Sequence, residues 1–180
     1  MNGERKETGN MNKGETISDY LNRRGTPTAT GRAWREIVGM SQQDIADALG
    51  VNVRSVKRWE DPMADYLAPN DYWEELENRL AVQRGMVDAA LERAQAFERE
   101  TGTPPEKVPV TYFKSQNDYN LHGRDKGPYT IANANARAIG EALEFAGYNV
   151  EYRYTKEPET RIPFKRPRRS EPEAPEDLIG

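Results

Sequence analysis

Residues 40–61 read MSQQDIADALGVNVRSVKRWED, and their apolar positions have the spacing of two short helices joined by a tight turn. Ser41 is predicted to cap the first helix and Asn52 the second, because short polar side chains accept the free N–H groups of a first turn. Gly50 is predicted to end the first helix, since glycine adopts positive φ without steric cost. The stretch is therefore predicted to form a helix, a turn and a second helix.

The small and bulky residues of this stretch are placed as two crossing helices require. Ala46 stands where the helices approach most closely, and Val51 is predicted to fill the gap beneath the turn. The shared apolar core is predicted to contain Ile45, Leu49, Val56 and Trp59. Residues 42–61 fill every structural position of the helix-turn-helix pattern. In that motif the second helix lies in the major groove of DNA.

The run SQQDIADALGVNVRSVKRWE resembles the Cro/CI-type (XRE) helix-turn-helix DNA-binding family, over about residues 28–66. The chain departs from the family after Trp59 and Glu60, where it has DPM in place of the usual glycine. With its VPVTYF and GYNVEYRY segments, the wider layout over residues 28–154 is similar to anti-CRISPR-associated phage-type regulators. In that group an XRE module precedes a C-terminal dimerisation domain.

The resemblance implies roles for individual side chains at a DNA surface. Arg54 and Arg58 are each expected to contact a guanine. Each arginine–guanine contact is worth roughly 1–3 kcal/mol of discrimination against other bases. Val53 is expected to touch a thymine methyl group, and the remaining residues are expected to hold phosphates. The alternative is a solvated basic helix face without a ligand. The candidate DNA-binding residues are Gln42, Gln43, Asn52, Val53, Arg54, Ser55, Lys57 and Arg58.

Helical patterns flank this stretch on both sides. Before it, Trp34, Ile37 and Val38 share one helical face, and Thr30 is predicted to be the N-cap of their helix. After it, apolar positions recur in steps of three and four from residue 73 to residue 97, with Gln83 as the polar exception. This pattern fits either a coiled-coil seam between subunits or a long helix that packs within its own subunit.

The C-terminal third has the alternation of a small α/β unit. Residues 108–112 and 148–154 alternate as strands, with Tyr148, Val150, Tyr152 and Tyr154 on one face. Residues 131–146 are predicted to form a helix between them, and residues 114–128 a loop. A unit of only ~45 residues buries a thin core, so pairing with a second copy is expected to stabilise it.

The predicted fold is therefore mainly α, with an N-terminal XRE-type helix-turn-helix bundle and a C-terminal strand-helix-strand unit. The predicted segments are a disordered or partly helical arm (1–27), the helix-turn-helix domain (28–66), a long helix (69–100), a linker (101–107), the α/β dimerisation domain (108–154) and a disordered tail (155–180).

Composition excludes several classes of chemistry. The chain has no cysteine, which rules out thiol nucleophiles and thiolate metal sites. His122 is the only histidine, and it is predicted to lie in a surface loop, so neither a metal site nor an enzyme is predicted, and no cofactor. With a mean hydropathy of -0.97 and no long apolar run, the chain is expected to be cytoplasmic and nucleoid-associated, without a membrane partner.

These features predict a dimeric, sequence-specific DNA-binding transcriptional regulator, an autorepressor that binds an inverted repeat in double-stranded DNA. Two alternatives remain open. One is an antitoxin-like or phage interaction protein whose C-terminal domain binds a protein partner. The other is a regulator that binds RNA through the same basic residues.

Overall fold

The computed structural model describes residues 28–155, which are mainly helical, as predicted. The predicted N-terminal arm, with a possible short helix at residues 16–24, and the tail from residue 156 lie outside the described residues. In order, the elements are α1 (Thr28–Ile37), α2 (Gln42–Leu49), α3 (Val53–Trp59), α4 (Asn70–Thr101), β1 (Val108–Tyr112), α5 (Gln116–His122), α6 (Tyr129–Phe145) and β2 (Val150–Tyr154).

The predicted caps of α2 and α3 are confirmed. Ser41 Oγ accepts the N–H of Asp44 at 3.1 Å, and the Asp44 carboxylate accepts the N–H of Ser41 at 2.6 Å. Gly50 has φ 64° and donates its N–H to the last carbonyls of α2. Asn52 Oδ1 accepts the N–H of Arg54 at 2.9 Å. Local hydrogen bonding therefore fixes both ends of the turn between the two helices.

Three predictions about this region are wrong. Thr30 lies inside α1, which begins at Thr28, and Ile37 is 52 % exposed. Val51 is 37 % exposed instead of filling the gap beneath the turn. Tyr72 and Trp73 of α4 belong to the core under the short helices, and this core includes neither Ile37 nor Val51.

The first core is shared between the short helices and the start of α4. The rings of Trp34 and Trp73 meet edge to face, with their centroids 5.9 Å apart, and the ring centroids of Trp59 and Tyr72 are 5.7 Å apart. Trp59 therefore packs against the core, as predicted. The buried residues of this cluster are Val38, Met40, Ile45, Ala46, Val56, Ala68, Tyr72, Trp73, Leu76 and Leu80. The core thus continues past residue 66, where sequence patterns had placed the end of the domain.

Helix α4 has 32 residues and so spans about 48 Å. Much of its predicted apolar stripe packs within its own chain, since Trp73, Leu76, Leu80 and Ala94 are buried. The polar exception, Gln83, is also buried, and its Nε2 donates to the Ile37 carbonyl and to Asn135 Oδ1, each at 3.2 Å. The intramolecular alternative therefore describes this helix better than an intermolecular seam.

The C-terminal part contains the predicted strand, helix and strand. β1 and β2 pair in parallel, with Val108 opposite Val150 and Tyr112 opposite Tyr154. β2 begins at Val150, two residues later than the alternation suggested. Helix α6 covers one face of this sheet and packs against α4. A second cluster lies between them, made of Ala94, Val110, Ala136, Leu143 and Tyr148.

The predicted loop at residues 114–128 is wrong in its first half, which forms α5. Ser115 Oγ accepts the N–H of Asp118 at 3.2 Å and so caps this helix. Tyr119 is buried, and its ring meets Phe113 edge to face at 4.7 Å. The cap, the Tyr119 ring and contacts with neighbouring segments thus stabilise a helix of seven residues that lacks an apolar periodicity of its own.

Gly39 lies where the end of α1 meets the start of α6. It has φ 77°, and a Cβ there would press on the Thr130 carbonyl and come within 2.6 Å of Ala134 Cβ. Gly50 has a similar φ of 64° with open space around it. We expect Gly50→Ala to lower the free energy of unfolding by about 1–2 kcal/mol through backbone strain alone, and Gly39→Ala to lower it further. Urea denaturation of both variants tests this, and equal losses would contradict it.

Candidate nucleic-acid interface

Helix α3 has one buried face and one basic face. Val56 is fully buried and holds the inner face in the first core. On the opposite side Arg54, Lys57 and Arg58 are exposed, at helical spacings of three and four residues. The helix sequence, VRSVKRW, contains no carboxylate. Three cations therefore project from one short helix whose orientation is fixed by its packing.

Tyr66 adds an aromatic ring to this basic face. The Arg58 guanidinium lies 5.4 Å from the centroid of the Tyr66 ring, which is a cation–π distance. The contact limits the positions of a long side chain that remains exposed. Sequence reasoning missed Tyr66, because it stands in the connection between α3 and α4, where no periodicity indicates its direction.

Three other predicted residues of α3 are less available to a ligand. Val53 and Ser55 are half-buried, and Val53 packs against the first core. Asn52 is exposed, but its side-chain oxygen is occupied by the cap, which leaves its amide NH₂ to a ligand. The exposed basic residues therefore dominate this surface.

The two glutamines at the start of α2 differ in their surroundings. Gln43 is exposed, and its Nε2 donates to Asp47 Oδ1 at 2.7 Å. Gln42 is half-buried, and its Nε2 donates to Glu60 Oε2 at 2.9 Å. The structure thus brings Gln43 to the surface, whereas Gln42 serves an internal hydrogen-bond network.

That network joins α1, α2, α4 and the end of α3 through the Glu60 carboxylate. Arg35 donates to Glu60 through Nε at 2.7 Å and through Nη2 at 2.8 Å, and its Nη1 donates to the Met40 carbonyl at 2.8 Å. Tyr72 donates its hydroxyl to Glu60 Oε1 at 2.9 Å. Because Glu60 directly follows α3, this buried bidentate ion pair fixes the C-terminal end of the basic helix.

The charges of this network are stabilised by its hydrogen bonds. Burial alone would raise the pKa of the Glu60 carboxyl, but hydrogen bonds from Arg35, Gln42 and Tyr72 outweigh burial and hold that pKa below its ordinary value. Burial, reinforced by the nearby Glu60 charge, raises the pKa of the Tyr72 hydroxyl. At neutral pH Glu60 is therefore a carboxylate and Tyr72 a hydrogen-bond donor.

His122 is exposed at the last residue of α5, not in a loop. Within residues 28–155, no group of three His, Asp or Glu side chains is placed to hold a metal ion. In the same part of the chain, no helix has the length and apolar character needed to span a membrane.

Comparison of the chain with protein-family models gives no match, and comparison with curated proteins gives none either.

Proposed function

We propose that this protein is a sequence-specific DNA-binding transcriptional regulator in which α2, the Gly50 turn and α3 act as an XRE-type helix-turn-helix. The observation that carries the proposal is the exposed row of Arg54, Lys57 and Arg58 on a helix whose other face is locked in the core. A solvated surface helix would need neither this rigid support nor three cations without a carboxylate.

The dimensions and charges of α3 suit the major groove. The groove is about 12 Å wide, and α-helices enter it with their N-terminal residues toward the base edges. Arg54 stands in the first turn of α3, so we assign it to a guanine, with Arg58 as a second guanine contact steadied by Tyr66. Lys57 and Gln43 are assigned to phosphates on either side.

We further propose that the regulator acts as a homodimer on an inverted repeat and represses its own promoter by occluding it. Apolar side chains that the single chain leaves exposed support association, among them Phe145 at 97 % and Val82 at 55 % exposure. Two basic helices related by a two-fold axis would then enter successive major grooves. Half-sites should be separated by one helical turn, about 34 Å, or a multiple of it.

Selection of bound duplexes from a random DNA pool tests the proposal. We expect an inverted repeat with half-sites about 10 base pairs apart, centre to centre, or at a multiple of that spacing. Sedimentation equilibrium of the free protein should show a dimer. A parallel selection from an RNA pool serves as the comparison at matched salt, because salt dependence is shared by both nucleic acids. Enrichment of an RNA hairpin without any DNA consensus would contradict the proposal.

A further inference from the structure

An open groove of about 1180 Å³ runs along α4 from Arg79 to Phe97, and no residue of α3 lines it. Its walls are α4, β1, the end of β2, the C-terminal part of α5 with the loop that follows it, and α6. Apolar side chains line it, and two large ones on α4, Met86 and Phe97, are 44 % and 46 % exposed. A concave apolar surface of this kind is typical of a binding site for a chain segment or ligand.

Positive charge dominates the lining of this groove. Five cations line it, and Asp125 is the one carboxylate among the described residues that does so. Asp125 is already engaged, since it accepts the Tyr119 hydroxyl at 2.7 Å and the Gly127 N–H at 2.8 Å. The lining cations are Arg79, Arg93, Lys107, Arg124 and Arg153.

Carboxylates near the groove neutralise only part of this charge. Arg79 pairs with Glu75, while Lys107 and Arg153 share Glu151. Arg93 donates its Nε to the Ala89 carbonyl of its own helix, which leaves its charge uncompensated by that bond. The groove thus favours a segment with several negative charges and some apolar side chains.

The edge of β1 gives the groove a backbone recognition element. The N–H of Val108 bonds to the Asn149 carbonyl, so alternate residues of β1 face β2. By the same alternation, the backbone groups of Thr111 point away from β2. Further along, the Asn133 side chain makes two hydrogen bonds to the Phe113 backbone and so replaces a third strand there. Pro109 offers only its carbonyl and Thr111 offers both backbone groups, so an extended segment could pair with this edge at these two residues.

We propose that residues 171–179 of this chain, EPEAPEDLI, occupy the groove. The segment has four carboxylates for the basic rim and ends in Leu178 and Ile179, which suit the apolar floor. Residues 176–179 contain no proline and so retain the backbone N–H groups that edge pairing requires. DNA or RNA would satisfy the cations but would leave Met86 and Phe97 unpaired with apolar surface.

The chain leading to this segment leaves the described structure at the groove itself, which also favours docking within the same chain. Thr155 lines the groove, and its Oγ1 donates to Asp118 at 2.7 Å, which holds the end of the described chain beside α5. Fifteen residues separate Thr155 from Glu171, enough to reach about 45 Å when extended. A tether of this length gives an effective concentration on the order of millimolar, so even weak contacts suffice. The docked segment would compete with any acidic partner for the groove.

A spin label tests the contact in the full chain. Because the protein has no cysteine, Ala174→Cys provides a single attachment site for a nitroxide. At low salt, we expect paramagnetic broadening of backbone amides in residues 86–97 of α4 and 108–113 of β1, and none in α2 or α3. A mixed sample separates docking within one chain from docking between chains. It contains isotope-labelled protein without a nitroxide and spin-labelled protein at natural isotope abundance, so any broadening in it comes from docking between chains.

Matched charge reversals identify the groove as the site. Arg93→Glu with Arg124→Glu should abolish the broadening, whereas Arg84→Glu with Lys126→Glu should retain it. The second pair makes the same charge change at positions outside the groove lining. Adding Glu176→Lys and Asp177→Lys to the first pair should restore the broadening, and circular dichroism should show all variants folded.

Several results would overturn this proposal: no broadening at the groove in low salt, broadening only between chains, or equal loss in both charge-reversal pairs. None of these measurements requires DNA, and α3 enters only as the unbroadened reference, so the outcome is independent of the proposed regulator function.

Discussion

Arg35→Met is expected to lower the free energy of unfolding by about 3–5 kcal/mol, because it leaves the Glu60 carboxylate buried without its cation. Arg32→Met on the same helix is the matched control. Arg32 also forms an ion pair, with Glu36, but both side chains are more than half exposed. We expect the control to change stability by less than about 0.5 kcal/mol. Urea denaturation followed by far-UV circular dichroism measures both variants.

The effect of Arg35→Met should depend on pH. Because the folded-state pKa of Glu60 is lowered, its contribution is present above the unfolded-state pKa and is lost as the pH falls through the folded value. In the variant, burial without the cation should raise this pKa, so protonation should relieve the penalty in acid. The difference between wild type and Arg35→Met should therefore be largest at neutral pH and shrink through the acid range.

A double-mutant cycle separates this pairing from simple loss of packing. Arg35→Met with Glu60→Gln removes both charges, and it should cost clearly less than the two single substitutions added together. Additive costs, or a cost for Arg35→Met that does not vary with pH, would show that the ion pair does not hold the end of α3.

The features that could be predicted from sequence are those fixed by neighbouring residues. The caps at Ser41 and Asn52 and the turn at Gly50 depend on side chains within four positions, and all three are confirmed. Helix α4 and the two strands are also confirmed, because their periodicities extend over whole elements. Helix α5 was missed, because Tyr119 is stabilised by Phe113 and the folded loop, not by a repeat in its own sequence.

The parts of the candidate site that sequence could not predict depend on distant residues. Arg35 and Glu60 stand 25 positions apart, and Tyr72 reaches them from a third helix. The resemblance, and their place at the start of α2, implied the same phosphate contact for Gln42 and Gln43, yet only the fold shows that Gln42 turns toward Glu60. Val53 was predicted to face a base, although its helical spacing with Val56 also places it toward the core. Residues at the border of an amphipathic face are the ones that periodicity assigns least well.

Replacing both Arg54 and Arg58 by alanine is expected to weaken binding to the selected DNA site by about 2–6 kcal/mol, since each guanine contact contributes roughly 1–3 kcal/mol. Arg54→Ala should have the larger single effect, because Arg58 already interacts with Tyr66 in the free protein. Both side chains are exposed, so stability should change by less than about 0.5 kcal/mol. Fluorescence anisotropy titrations against the selected site and a scrambled site measure the change.

Lys57→Ala distinguishes base recognition from general attraction to DNA. Because Lys57 is assigned to a phosphate, Lys57→Ala should weaken binding equally at the selected and the scrambled site. It should also reduce the salt slope of log K by about one. The arginine substitutions should instead reduce the preference for the selected site over the scrambled one. Arg84→Ala, exposed on α4 and distant in sequence from α3, should change neither quantity. If Arg54→Ala and Arg58→Ala leave the preference intact in a folded protein, α3 is a solvated basic helix and not the element that reads DNA.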